Sequence, residues 1–558
     1  MRLRSLLPLL TTTAVAALAA QAASAQTQLL YLAEDVPAGL NYDGPSANIN
    51  TTQTGYINLL EPLVYYPYAD TNEEGVRKLD FSKFEGRLVE RWEFDRPSLT
   101  WTLHLRRGVK SCAGNEFTAD DVVYTFGRNK SVSGAAPVGW FIGSVISIQG
   151  FTRDVLRGGD KSLGDAVVKV DDYTVRIKQS EPNPLFLTGL SIYASYPWDS
   201  KEMKKHATEQ DPWSHNYVNT TNAPGFGAYC LERWTRDNEF VVKANPNYYR
   251  GKPPIDQIVM KKVPQSANRV LTVRSNRADL TQRLTAREFT SLANAKGVKV
   301  AGIFGNETLL VNLNFKTPPF DNPKIRQAIA AAMPYEQIAE VGYARKARRW
   351  EAHYTPVLNG YAKPSTQYTR DLDKAKALLA EAGFPGGQGL EKYPEAFKLA
   401  FVAEREATLG PIATVIQAGL RDSGIPIQLD PIPQTQMGDR RLVKKDLPMS
   451  LSDQEKPVGP DVVYASLLFF VSTASGGINN IANYSSPEFD RLYLAAKSEQ
   501  DPAKRAASVT EMQEVVQRDL AWIPVVETST IWAFNEKLRG VTWHPDNSLR
   551  FFDLSMDK

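Results

Sequence analysis

The chain has 558 residues, with 65 Lys and Arg against 62 Asp and Glu, and 42% of it is hydrophobic. That length exceeds what one core organises, so two or three lobes are expected. Nucleic-acid binders usually carry a basic excess, and this near balance argues against that class. The content of 10 Trp, 23 Tyr and 23 Phe suits an enclosing pocket, although most of it belongs to core.

At the N-terminus, Arg2 and Arg4 precede an apolar run from Leu6 to about Ala20, and Ala23-Ser24-Ala25 forms a small-x-small site before Gln26. This reads as a Sec-type signal peptide over residues 1–25, cleaved between Ala25 and Gln26. No later stretch reaches the roughly 18–20 apolar residues that span a bilayer. The expectation is a soluble periplasmic chain with no direct membrane anchor.

Cys112 and Cys230 are the only cysteines. An even pair in an oxidising compartment is a disulfide candidate, against the alternative of two separate buried thiols.

In chain order, Gln28 to Ala33 reads as a strand, followed by a loop with Pro37, Gly39, Asn41, Gly44 and Pro45. Thr100 to Leu105 alternates as a strand, and Thr118 is placed to cap a helix with Asp121 three positions on. Val168 to Lys178 alternates again. Asp321 and Pro323 open a helix bearing Ile325, Ala328, Ile329 and Ala332, which Pro334 interrupts. Asp371 caps another, which Gly383 stops. Ser486-Pro487 and Asp501-Pro502 open two more. Strands and helices intermix throughout, which predicts an α/β fold.

Five ordered stretches carry a resemblance. Leu105-Arg106-Arg107-Gly108-Val109-Lys110 with Phe117-Thr118-Ala119-Asp120-Asp121-Val122 is similar to "LR-x-GVKF…F-TA-x-DV". Gly225-Phe226-Gly227-Ala228-Tyr229 is similar to "GTGPY", with Ala228 in place of proline. Asn245-Pro246-Asn247-Tyr248-Tyr249-Arg250-Gly251 follows "NP-x-YW-x-G". Asn314, Pro318-Pro319-Phe320-Asp321 and Ile325-Arg326-Gln327-Ala328 follow "N…PPF-x-D-x-RVR-x-A", and Asp373 to Phe384 follows "D-x-x-KAK-x-LL-x-EAG". Together they resemble the peptide/nickel-type extracellular solute-binding proteins (family 5) of ABC importers.

The resemblance implies a two-lobed periplasmic binding protein, type II and cluster C-like, with an extra subdomain inserted in lobe one. Lobe one would comprise 26–60, 166–304 and 524–558, the insert 61–165, and lobe two 305–523. The lobes would close around a ligand by hinge motion. The implied partners are a small-molecule or peptide ligand and a membrane permease with its ATPase, with the receptor a monomer.

Peptide-binding relatives hold the ligand amine with an aspartate in "W-x-x-D-x-x-DP". Setting Pro460-Asp461 on that motif puts Val458 at the aspartate position, and the tryptophan is missing. Asp453 or Glu455 could substitute, or both are solvated loop acids. Arg345-Lys346-Ala347-Arg348-Arg349-Trp350 offers a basic cleft wall for a carboxylate or phosphate, or is a solvated loop. Further ligand-contact candidates are Asn41 and Tyr42, whose loop offers backbone groups in relatives, together with Trp140, Tyr464 and Phe469 for stacking, and Asp461. Short peptides are the first expectation. An opine, sugar phosphate or oligosaccharide comes second.

There is no Gly-x-Ser-x-Gly, His-Glu-x-x-His or P-loop, and the five histidines are scattered. No catalytic residue, cofactor or metal site is expected. A secreted hydrolase, the remote alternative, would need a convergent acid–base set in the cleft.

Overall fold

The computed structural model describes residues 27–557, apart from 45–46, 48, 74–75, 132–137, 153–157, 344–345, 454, 474–476, 478 and 500. The proposed signal peptide with Ala25 and Gln26 lies outside the described residues, as does Arg345.

The backbone of the molecule is one sheet whose strands run in the order Tyr229–Thr235, Glu239–Ala244, Gln257–Lys262, Gln28–Ala33, Leu280–Gln282, Ile523–Asn535, Val298–Leu313, Met449–Ser452, Lys398–Val402 and Gln428–Ile432. Gln28–Ala33 is a strand, as expected, and it pairs in parallel with Gln257–Lys262. Ala347–Arg349 attaches to Ile523–Asn535 off this path.

Two long antiparallel strands, Val298–Leu313 and Ile523–Asn535, hold the centre. Their ladder runs from Val298 opposite Asn535 to Phe304 opposite Ser529. It breaks, and then resumes at Thr308 opposite Glu527. At the break, Gly305 packs on Trp543 so closely that an added Cβ would lie 2.4 Å from the indole. A residue with a side chain there must displace either the strand or the ring.

Two large apolar clusters sit along this sheet. One joins Leu29, Tyr56, Phe117, Trp198 and Tyr229 to the segment Val462–Val471 and to Val509, Met512 and Val516. The other joins Leu309, Ile325, Leu379, Leu399, Ile416 and Met449. The first cluster therefore spans both halves of the chain, so the halves are in contact through apolar side chains and not only through the central strands.

A separate four-stranded sheet contains Val89–Asp95, Thr100–Leu105, Val167–Asp171 and Thr174–Lys178. The stretch read as one alternating run from Val168 is thus a hairpin, folded at Asp172-Tyr173. Cys112 and Cys230 are disulfide-bonded across 118 residues, tying the segment after Thr100–Leu105 to Tyr229–Thr235. Closing a loop of that size constrains the unfolded chain by about 4–5 kcal/mol in the chain-entropy model.

Most predicted helix starts are present. Asp371, Ser486 and Asp501 accept first-turn N–H groups of Leu372–Glu381, Pro487–Ser498 and Pro502–Asp519. Two starts differ in detail. The cap of Pro323–Ala332 is Asn322, whose carboxamide accepts from the Lys324 N–H at 2.9 Å, and not Asp321. At Ala119–Ser131 only half of the capping box forms. Asp121 accepts the Thr118 N–H at 2.8 Å, while the Thr118 hydroxyl is buried without a partner. Asp121 is drawn instead into tertiary structure, accepting the Ser200 N–H at 2.8 Å, and burial pushes its carboxyl up to about 6.

Candidate functional site at the break in the central ladder

The ladder break exposes the side chains of Asn306 and Glu307 to both halves of the molecule. The Asn306 carboxamide donates to the carbonyls of Pro457 (2.8 Å) and Pro545 (2.7 Å). Glu307 accepts from the Asn547 carboxamide at 2.9 Å and pairs with Lys456 at 3.7 Å. Lys456, with a side chain only 19% exposed, has its ammonium pushed down by burial, against the pull of Glu307.

Three further acid–base pairs surround this point. Arg283, just past Leu280–Gln282, meets Glu34, just past Gln28–Ala33, at 3.3 Å. Arg405 pairs with Asp453. Arg441 pairs with the buried Glu455, which also accepts from the Ser452 hydroxyl. Burial is the largest influence on Arg441 and brings it down to about 10. The pairs feel one another. Arg283, Asp453 and Asp546 all act on Lys456, and Glu34 acts on Arg405. Four cations and four carboxylates therefore converge where strand ends of the first half, the ladder break and the 453–461 loop meet.

The residues expected from sequence fall into two groups. Asp453 and Glu455 lie in this cluster, each held by an arginine. Arg348 stands beside the ladder break. It pairs with Glu527, which faces Thr308 across the ladder, and its guanidinium lies 4.4 Å from the Phe304 ring centre. Arg349 instead lies over the Tyr335 ring at 4.8 Å, and Trp350 is buried with its indole N–H on the Tyr354 carbonyl at 3.1 Å.

The others sit in packed interior. Asn41 accepts from Arg128 at 3.1 Å and contacts His215 at 2.9 Å. Tyr42 packs on Trp198, whose indole donates to its hydroxyl at 2.6 Å. The Trp140 indole donates to the Thr152 carbonyl at 3.0 Å. Asp461 caps the helix Val462–Phe469, on which Tyr464 is buried and Phe469 lies 5.5 Å from Trp522.

Sequence reading missed Arg283, Glu307, Arg405, Arg441 and Lys456. Lys456 stands between residues that were singled out, but nothing in a run of charged loop residues tells which of them turns inward. Among the described residues, no group of three or more His, Cys, Asp and Glu could hold a metal ion, and no helix is long and apolar enough to cross a membrane.

Residues 83–476 match the family model of the bacterial extracellular solute-binding proteins, family 5. The chain belongs to that family. As an extracellular solute-binding protein it is 26% identical to heme-binding protein A of Haemophilus influenzae over 506 residues, covering 86% of each chain. It is 25% identical to the dipeptide-binding protein of Escherichia coli over 556 residues, covering 96% of each. Its fold is that of the periplasmic binding protein DppA from Helicobacter pylori, solved with the peptide STSA. The TM-score is 0.75 at 23% identity, with 95% of this chain and 98% of the other covered. The two-lobed α/β architecture of family 5 is therefore that of this chain. Family 5 consists of non-enzymatic solute-binding proteins.

Proposed function

We propose that this solute-binding protein is the periplasmic receptor of an ABC importer, that it performs no chemistry on its ligand, and that the ligand is a short peptide. The observation that carries the peptide reading is the set of four acid–base pairs around Glu307 and Lys456. A zwitterion presents an ammonium and a carboxylate. Each can take the place of one partner in such a pair, so a buried charge exchanges one counter-ion for another and is never left alone. The exchange matters for the enclosed members, Lys456, Asp453, Arg441 and Glu455, which a ligand of one sign would leave partly unpaired, whereas Arg283 and Glu34 stay solvated.

In this reading the lobes are 26–60 with 166–304 and 524–558, and 305–523, with 61–165 inserted. The ligand lies between them and the chain reaches its compartment through the 1–25 signal peptide. Val458 replaces the amine-binding aspartate of relatives, and Asp453, Glu455 or Glu307 serves the ligand ammonium.

The test is calorimetric titration of purified protein with di- to pentapeptides, opines, sugar phosphates and heme. Saturable binding of peptides, lost when either terminus is blocked, supports the reading. Binding of an opine, sugar phosphate or heme with no peptide binding overturns it.

A further inference from the structure

A cavity with several charged groups in its lining lies away from the ladder break. It has a volume of about 50 Å³ and is lined wholly by residues from 57–87, 196–250 and 544–553. No residue of 305–523 contributes, so it belongs to one half of the molecule and is distinct from the cluster around Glu307.

Its acids already have partners. Glu61 accepts the hydroxyls of Tyr248 (2.8 Å) and Tyr249 (2.9 Å). Asp553 accepts from Tyr68 and pairs with His544 at 3.2 Å and Arg77 at 3.8 Å. Arg550 is likewise satisfied, gripping Asp546 through two nitrogens at 2.7 and 3.1 Å and reaching the Tyr65 hydroxyl at 3.2 Å.

Two guanidiniums share Glu61 as a counter-charge and are less fully engaged. Arg87 is 5% exposed. One of its terminal nitrogens meets Glu85 at 2.5 Å, but its Nε is buried without a hydrogen-bond partner. Arg250 makes no close ion pair among the described residues. It interacts with Tyr248 and, at longer range, with the Glu61 carboxylate, and its guanidinium lies 4.6 Å from the Phe552 ring centre. A buried donor on a cation is costly to leave unmade, and a guanidinium fork fits the oxygens of a tetrahedral or carboxylate anion.

We propose that this cavity is a second binding site, for a small oxyanion held by Arg87 and Arg250. The inference does not depend on the identity of the transported ligand.

Titration of the protein with inorganic phosphate, and separately with acetate, at low and constant ionic strength tests it. Expected is saturable one-to-one binding of at least one of the two, weakened about tenfold or more in Arg250→Gln. The Arg250→Gln protein should keep its peptide affinity, and Arg441→Gln, altered at the ladder break, should keep its anion affinity. No saturable binding in the wild type overturns the site and leaves it to water. So does anion binding that survives Arg250→Gln but is lost in Arg441→Gln. Should Arg250→Gln fail to fold, selenate soaked into wild-type crystals decides. An anomalous peak between Arg87 and Arg250 supports the site, and its absence overturns it.

Discussion

Arg128 and Asp43 form an ion pair with side chains 0% and 1% exposed, deep in the first half of the molecule. Burial pushes the Asp43 carboxyl up, and Arg128 with the Gly139 N–H pulls it back. The same guanidinium donates to Asn41 at 3.1 Å, so the loop 41–43 is pinned to the helix Ala119–Ser131. Removing one partner strands the other without solvent. Arg128→Ala should destabilise the fold by about 3–5 kcal/mol in denaturant titration. A change under about 1 kcal/mol would mean that water reaches Asp43.

The disulfide should be the largest covalent contribution. Cys112→Ser combined with Cys230→Ser should lower unfolding free energy by up to about 4–5 kcal/mol, and reduction of the wild type should reproduce that loss. A double mutant as stable as the wild type would show that the packing of Tyr229–Thr235 alone holds this junction.

His353 is buried between Gln517 and the Trp522 carbonyl, and burial brings it down to about 4 from 6.5. The folded state therefore refuses a proton that the unfolded state accepts between those values. Its stabilising contribution is full above pH 6.5 and is lost as pH falls towards 4. For one such group the loss from pH 7 to pH 5 is about 2 kcal/mol. His353→Gln should reduce the pH dependence of unfolding by that amount. An unchanged slope would assign the dependence to other groups, of which His215, also brought down to about 4, is the first to examine.

Lys456 and Glu307 should be coupled in ligand capture. Lys456→Met and Glu307→Gln should each weaken peptide binding by about tenfold or more, and the double mutant should lose less than the sum. Strict additivity would mean that the two side chains act on separate parts of the ligand.

Gly305→Ala adds a methyl group against Trp543 at the ladder break. It should lower stability by about 1–3 kcal/mol, as overpacking does, and slow any ligand-linked closure seen by fluorescence. An unperturbed protein would show that the indole moves aside freely.

Much of the scaffold was legible because its signals are local. Asp371, Ser486 and Asp501 cap helices through their own neighbours, and the strand Thr100–Leu105 follows from alternation. The Gly225–Tyr229 motif also has a local cause. A Cβ on Gly227 would lie 2.4 Å from the Leu59 backbone, so only glycine lets these segments meet. The tertiary role of Asp121 was not legible, since its second oxygen serves Ser200, 79 residues on. The cleft was harder still. Arg283, Arg405 and Arg441 lie far apart in the chain, and each meets its acid only after the sheet has assembled. Their pairing has no period or spacing to betray it. The aromatic candidates Trp140 and Tyr464 were ambiguous for the opposite reason, because a pocket wall and a core draw on the same residue types.

The central position of Ile523–Asn535 has a consequence for the order in which the molecule is made. Both cysteines have been synthesised by residue 230, so the covalent loop can close on a half-made protein. The strand that completes the middle of the sheet arrives nearly 300 residues later. For this chain, a cut before Ile523 is surgery on the centre, and a nascent molecule must hold open the place for the last strand of its main sheet.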